Sequence, residues 1–388
     1  MNSFSQLCLR SLDISQASPF LEMAWDRIKR EHPDSVLILQ DQSRGESPCG
    51  KRSIDSILKV NEQNDADFHS ILSWSIPNER TIEDITLFPK IKSIPGPLNS
   101  VYKLSDKRAT KILFEQFLLP TPKWEVLDRE FTRGELLRNE VKEKIECNLL
   151  NHIPFPIVIK PLWDCMGHGV EIINNLNELV EVLSLNNKRT ILAESFIDGD
   201  LGCVEIIGVP GCYFFQPPCL TGKSRDGVRS NFDTVRICHP NFFSRQLSAS
   251  IKEKIVNVLE CLDFSGACCV DFITTKDDIY FLEINPRISG ISCLSSAASG
   301  VNSFEATYLI SSNQWGGHIF ENRKSNFSAI QIGGTHVEKY ISLLESNNDL
   351  KIVRNNIISV DGNESRNVIV SGASVSIDDF LKFADLTP

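Results

Sequence analysis

Apolar and polar residues fall in short blocks along this chain, and block length and period separate strands from helices. Residues 1–30 read as mixed and helical, with Phe20, Met23, Trp25 and Ile28 near helical spacing. Ser35–Leu39 (SVLIL) is an apolar run that suits a buried strand, and Ile71–Trp74 is a weaker second one. With Lys90–Pro97 (KIKSIPGP) these predict a small α/β lobe ending near residue 100. Ser105 reads as the N-cap of a helix, DKRATKILFEQFLL, that stops at Pro120. TPKWEVL predicts a short strand, 129–150 a charged helix, and Pro154–Lys160 (PFPIVIK) a strong strand with a lysine at its end. Trp163–Gly169 is a glycine-bearing loop. Val170–Ile173 is a strand, 176–186 a helix, and Thr190–Ala193 a strand running into Glu194.

From Cys203 the pattern turns to strands, VEIIGV and then CYFFQ. Residues 219–235 read as a polar loop rich in Gly, Ser and Arg, and 247–262 as a helix. Gly266–Ile273 and Ile279–Ile284 are two further strands. The C-terminal part alternates strand and helix, ending with NVIVSGAS and IDDFLKFADL. No internal repeat is present. The fold class is α/β (α+β).

The segment CVDFITTKDDIYFLEINPR, residues 269–287, carries the chemistry. Two apolar runs flank the polar TTKDD, a hairpin pattern. With Thr274–Asp278 as the loop, Ile273 faces Ile279 and Asp271 faces Phe281. Strand alternation then projects Asp271, Phe281, Glu283 and Asn285 from one face, with Asp271 and Glu283 as diagonal neighbours. Two carboxylates and an amide oxygen are hard ligands, suited to Mg²⁺ with substrate phosphates completing its shell. Carboxylates between apolar strands are expensive without a compensating cation. That cost favours a metal site over a solvated edge hairpin.

Composition narrows the setting. The chain has 388 residues, 41% hydrophobic and 23% charged, enough for two or three lobes of a soluble globular protein. A net charge of −10 argues against nucleic acid or an anionic membrane as partner. No apolar run approaches the roughly 18 residues of a membrane span. MNSFSQLCLRSLDISQ has no long apolar region and no cleavage site, so no signal peptide is expected. The twelve cysteines, none at C-x-x-C spacing, read as reduced thiols in a cytoplasmic protein. The seven histidines show no paired zinc spacing.

The hairpin resembles the metal-binding signature of the ATP-grasp superfamily, in which Asp, Glu and Asn bridge two Mg²⁺ ions to ATP. FPIVIKPLWDCMGHGV resembles that family's strand, lysine and glycine loop, and LAESFIDGD resembles its hinge. SDKRATKILFEQFLLPTPKWEVL resembles the Asp-Lys helix and the strand that follows it. The four motifs keep the family order and cover roughly residues 95–300. The resemblance implies an ATP-grasp fold with two lobes clasping ATP. An N-terminal pre-ATP-grasp α/β domain would span 1–105. A small lobe with helical lead-in and glycine loop would span 106–197, and a large C-terminal lobe with the metal site 198–388. The implied cofactors are ATP and two Mg²⁺ ions, with Mn²⁺ as a substitute.

By the same likeness Lys107 and Lys160 reach the ATP phosphates, a role that suits mobile cations. Gly167, His168 and Gly169 fold over the phosphates as a backbone nest, although serine is commoner where His168 stands. Glu194 and the backbone of Ser195, Phe196 and Ile197 meet the adenine edge. Relatives often carry a ribose-binding acid two residues past the hinge glycine. Leu201 holds that position here, which leaves Asp200 as its substitute or as a surface turn.

The superfamily mostly makes an acyl phosphate from a carboxylate and couples it to an amine. The implied activity is an ATP-dependent carboxylate–amine ligase that releases ADP and phosphate, with an amino acid as substrate. Arg287 binds the substrate carboxylate or stabilises the tetrahedral intermediate in the family's amino-acid ligases, and a guanidinium fork suits either task. D-alanine–D-alanine ligases carry arginine two residues before the first metal aspartate, where this chain has Cys269. Their ending also differs from NPRISG, so the L-amino-acid ligase branch is the better match. Glu205 lines the substrate region in that branch, or else is a sheet-face charge. Lys223, Arg225, Arg229 and Arg236 either belong to a solvated loop or present cations to an anionic substrate. Ser289, Gly290 and Ser292 shape the second substrate's pocket. The expected partners are a small carboxylate and a small amine, with a homodimer allowed. A carboxylase-like enzyme and a non-enzymatic ATP-binding regulator are the alternatives.

Overall fold

The computed structural model describes residues 7–11, 20–33, 36–39, 70–74, 97–127, 145, 152–163, 169–185, 190–226, 235–316, 323, 326–360, 363–384 and 386. A three-stranded parallel sheet comes first, with β1 (Leu7–Ser11) between β2 (Val36–Leu39) and β3 (Ser70–Trp74). The apolar runs predict β2 and β3. They miss the central strand, because LCLRS is short and carries Arg10; pairing on both sides recruits it. Helix α1 (Phe20–Glu31) follows β1. The Lys90–Pro97 stretch of the predicted lobe, Pro97 excepted, and the helix predicted at 129–150, Ile145 excepted, lie outside the described residues.

Helices α2 (Leu98–Ser105) and α3 (Lys107–Gln116) lead into the second sheet. Ser105 closes α2 rather than capping α3. The cap is Asp106, whose extended backbone lets its carboxylate accept the Ala109 N–H at 3.0 Å. Helix α3 buries Lys107, Thr110, Lys111, Leu113 and Phe114, one stripe at helical spacing. The second sheet is antiparallel, in the order β4 (Trp124–Leu127), β7 (Ile191–Ser195), β5 (Ile157–Pro161), β6 (Glu171–Ile173). Helix α4 (Leu176–Leu185) covers it, packing Leu179, Val180 and Leu183 on Ile157, Ile159 and Ile173.

The third sheet has nine strands: β8 (Asp200–Val209), β9 (Cys212–Phe215), β10 (Cys219–Lys223), β11 (Val235–Cys238), β12 (Gly266–Thr274), β13 (Ile279–Asn285), β14 (Phe327–Gly333), β15 (Leu350–Val360) and β16 (Asn363–Ala373). Its order is β13-β12-β8-β10-β11-β14-β16-β15, with β9 paired to β8. The stretch 219–235 is therefore not all loop. Gly222 and Lys223 break its apolar pattern, yet Cys219 and Leu220 pair with Cys238 and Ile237.

Alternation along β8 divides the core. Val204 and Ile206 point to α5 (Ala249–Cys261) and meet Ile255, Val258 and Leu259. Cys203 and Ile207 point the other way, to α6 (Ser292–Ser299), α7 (Ser303–Ser311) and α1. Helices α8 (Thr335–Ser346) and α9 (Ser374–Ala384) pack on the C-terminal strands. Among the described residues no helix is long and apolar enough to cross a membrane.

Candidate active site

The β12–β13 hairpin sets the centre of the site, and its register differs from the one simple alternation predicts. The turn is tighter, with Thr274 opposite Ile279 and the Thr275 N–H bonded to the Asp278 carbonyl at 3.0 Å. Continued unbroken, that register would set Asp271 against Leu282 and turn Glu283 to the other face. A β-bulge after Phe281 inserts one residue, so Asp271 stands directly opposite Glu283 and Cys269 opposite Asn285. The three ligand residues share a face by this compensation, not as the diagonal pair expected. Phe281 leaves that face: it is fully buried against Phe114 and Phe272. Leu282 takes its place in the cleft wall.

The cleft holds about 600 Å³ and runs between the four-stranded and nine-stranded sheets. On its floor Asn285 Nδ2 donates to Asp271 Oδ2 at 2.7 Å and Glu283 Oε1 at 3.0 Å. The amide thus lies where a cation would neutralise both acids. Burial and the facing Glu283 push the Asp271 carboxyl up to about 7. Burial also acts to raise Glu283, but Lys107 and Lys160 outweigh it and hold that carboxyl near about 2. Lys107 Nζ stands 3.4 Å from Glu283 Oε2. Two close acids of opposite shift, with lysines beside them, form a set that a hard divalent cation completes.

The other predicted residues divide into three groups. Lys160, Glu194, Ser195, Phe196, Ile197, Arg287, Ser289 and Gly290 line the same cleft. Glu194 is nine-tenths or more buried and ion-paired with both Lys111 and Lys160, so its carboxylate faces lysines. The N–H groups of Ser195 and Phe196 bond to the carbonyls of Lys123 and Pro156, at 2.8 and 3.1 Å, which fixes the strand-end segment as a rim.

A second group lies apart from the cleft lining. Asp200 borders a shallow depression with Asp198, Gly199 and Phe243, while Leu201 faces the cleft. Glu205 is fully buried beneath α6, where it accepts from Ser292, from Ser295 at 2.7 Å and from Ser303 at 2.6 Å. Arg225 is exposed and pairs with Asp198 at 2.5 Å, and Lys223 is exposed at the end of β10. Gly167, His168 and Arg229 lie outside the described residues. Gly169 is described, at φ +69°, a conformation that favours glycine. The hinge also needs its glycine: a Cβ on Gly199 would come within 2.2 Å of the Thr274 carbonyl oxygen.

A family model described as an ATP-grasp domain matches residues 104–291, the span that builds this cleft. Residues 104–291 are thus similar to an ATP-grasp domain. Across that span and beyond, the chain is 28% identical to D-alanine–D-alanine ligase of Ruminiclostridium cellulolyticum, covering 71% of this chain and 76% of that one. It is 25% identical to carbamoyl-phosphate synthase of Methanobrevibacter smithii over 57% of this chain and 56% of the relative. The chain thus spans about half the length of that relative. The structure of L-amino acid ligase from Bacillus licheniformis superposes with a TM-score of 0.68 at 14% identity, covering 99% of this chain and 97% of that one. That last likeness is one of fold.

Two cations, one behind the cleft wall and one in it, were missed or misplaced by sequence reasoning. Lys111 is fully buried, donates to Thr121 at 2.7 Å and to the Phe281 carbonyl at 3.1 Å, and pairs with Glu194. Burial brings its pKa down to about 8, against the pull of Glu194. Its signal was the i, i+4 spacing from Lys107, which puts both lysines on one helix face. Arg236 reads as a loop cation in the sequence. It lies on β11 and lines the cleft near Gly290.

Proposed function

We propose that this chain is an ATP-dependent carboxylate–amine ligase with an amino acid as the activated acid. The observation that carries this reading is the convergence of Asp271, Glu283 and Asn285 beside Lys107 in one cleft. Asp271, Glu283 and Asn285 would hold two Mg²⁺ ions, the asparagine turning its carbonyl oxygen inward. The metal supplies charge neutralisation for the phosphates during transfer. Lys107 and Lys160 would bind the triphosphate, with Gly169 in the loop that covers it. The rim at Ser195–Ile197 would meet the adenine through backbone groups. Arg287 and Arg236, both in the cleft wall, would orient the substrate carboxylate for attack on the γ-phosphate and then steady the acyl phosphate. An amine would displace phosphate from that intermediate.

The division at 197 fits this reading, since the cleft lies between the second and third sheets, while α3 packs Leu113 and Phe114 on the third sheet rather than the second. The free thiols among the described cysteines fit a reducing, cytoplasmic setting. A carboxylase-like reading, with bicarbonate as the acid, draws support from the likeness to carbamoyl-phosphate synthase. The deciding test is a screen of amino-acid pairs for phosphate release from Mg-ATP. ADP and phosphate formed only with both partners present supports the ligase. AMP and pyrophosphate, or turnover on bicarbonate without any amino acid, overturns it.

A further inference from the structure

The floor of the cleft carries a second set of donors, of different chemistry from the first. Asp271 on β12, Cys203 on β8, Cys219 on β10 and Cys238 on β11 form a row across four neighbouring strands, with Cys269 two residues from Asp271 along β12. Cys219 stands opposite both Cys203 and Cys238, and Asp271 stands opposite Cys203. The Cys203 thiol is hydrogen-bonded to Cys219 and Cys269. Cys269 Sγ lies 3.5 Å from Asp271 Oδ1. One ligand atom from each of Cys203, Cys269 and Asp271 lies within 4.8 Å of the other two. All three residues line the cleft, so the set opens on solvent without crossing the core.

Zinc bonds to sulfur at about 2.3 Å and to carboxylate oxygen at about 2.0–2.2 Å, so a tetrahedral centre has S···O edges of ~3.5 Å and S···S edges of ~3.8 Å. The Cys269–Asp271 edge already has that length. The longest separation within the set needs to close by only about 1 Å. We infer that Cys203, Cys269 and Asp271 form a binding site for a thiophilic divalent cation of the zinc class. Soft thiolates select such a cation over Mg²⁺. Three protein ligands leave a fourth position that points into the cleft, open to water or an anion.

The site shares Asp271 with the ligands assigned to Mg²⁺ above. A zinc-class ion there removes one hard ligand from the Mg-ATP centre, so it inhibits turnover. That consequence rests on the ligase reading; the site itself rests only on the thiols and their geometry.

The test uses the full chain, stripped with a chelator and titrated with Cd²⁺ alone. Wild type is expected to develop an ultraviolet thiolate-to-metal charge-transfer band that saturates at one equivalent. Cys203→Ala and Cys269→Ala are each expected to weaken binding by at least about 10-fold, while Cys261→Ser, at an exposed thiol, leaves the titration unchanged. A band that survives both alanine variants overturns the site. If either variant fails to unfold cooperatively, wild type decides by alkylation and mass mapping. Cd²⁺ must then shield Cys203 and Cys269 but leave Cys212 and Cys261 reactive, and equal labelling with and without Cd²⁺ overturns the inference. Mg-ATP turnover without added Cd²⁺ is followed separately. Its absence tells against the ligase reading and leaves the charge-transfer result standing.

Discussion

Glu205 and Glu283 are glutamates on neighbouring parts of one sheet, the first fully buried and the second half-buried at the cleft, and they are solvated in opposite ways. Glu205 accepts hydrogen bonds from three serines of α6 and α7, so its acceptor capacity is met from within the fold. Glu283 faces a second carboxylate, with one amide and one lysine beside it. Glu194 stands between these cases, held by Lys111 and Lys160. A carboxylate satisfied by its own chain holds elements together. A carboxylate left beside another acid is a site awaiting a cation. The comparison assigns Glu205 to architecture and Glu283 to chemistry, although both read as acids on strands.

The largest effect expected is on turnover. Glu283→Ala should lower the ATP-dependent rate by about 10³-fold, about 4 kcal/mol of barrier, while thermal unfolding stays cooperative at a similar temperature. Unchanged turnover would remove Glu283 from the metal site and break the comparison at its centre. Lys111→Met tests the intermediate case. It leaves Glu194 with a single lysine in a dry site, so it should cost about 3 kcal/mol of stability in urea unfolding. A loss below about 1 kcal/mol would mean that Lys160 alone satisfies Glu194.

Glu205→Ala comes next, at about 2 kcal/mol, because three buried hydroxyls lose their acceptor. Ser292 also receives the Ser289 N–H at 2.9 Å, so the loop from Arg287 to Ile291 should loosen and the KM for the carboxylate substrate should rise. Glu205→Gln keeps an acceptor oxygen and should recover most of both losses. Full loss of turnover in Glu205→Gln with an intact Tm would instead place Glu205 in the chemistry.

Much of this was legible from residue pattern. The four motifs lie on a helix, two strands and a hairpin in the order expected, and the three metal candidates share a face. Register was legible only in parity. The loop is one residue tighter than TTKDD implies and the bulge shifts the register by one more, so the two slips together keep Asp271 and Glu283 on one face but not Phe281. Neither slip has a local sequence mark, because bulges answer to packing, here Phe281 turning into Phe114 and Phe272. The sequence left Glu205 open between the substrate region and the sheet face, because its partners lie 87 to 98 residues away, beyond the reach of any spacing argument. Arg236 was misread because β11 is short, and pairing with β10 and β14 makes it a strand.

The smallest effect is a pH slope that isolates Asp271 from its neighbours. Its folded pKa of about 7 lies above the value near 3.9 of an unfolded aspartate. A carboxyl raised on folding contributes stability that is full below the unfolded value and is lost as pH rises through the folded one. Glu283 is lowered to about 2, so its contribution is present above its unfolded value, near about 4.3, and is lost only in acid. Between about pH 5 and pH 8, then, Asp271 alone of this pair titrates. His239, lowered by burial, moves stability the other way in part of that range. The informative quantity is therefore the difference between wild type and Asp271→Asn, each stripped of metal. Wild type should lose about 1 kcal/mol relative to the variant as pH rises across that window. Saturating Mg²⁺ with ADP should abolish the difference in slope, because a bound cation keeps Asp271 ionised at every pH in the window. A slope that persists with the nucleotide bound would show that Asp271 is not a ligand, and that the unsatisfied acids of the hairpin belong with Glu205 after all.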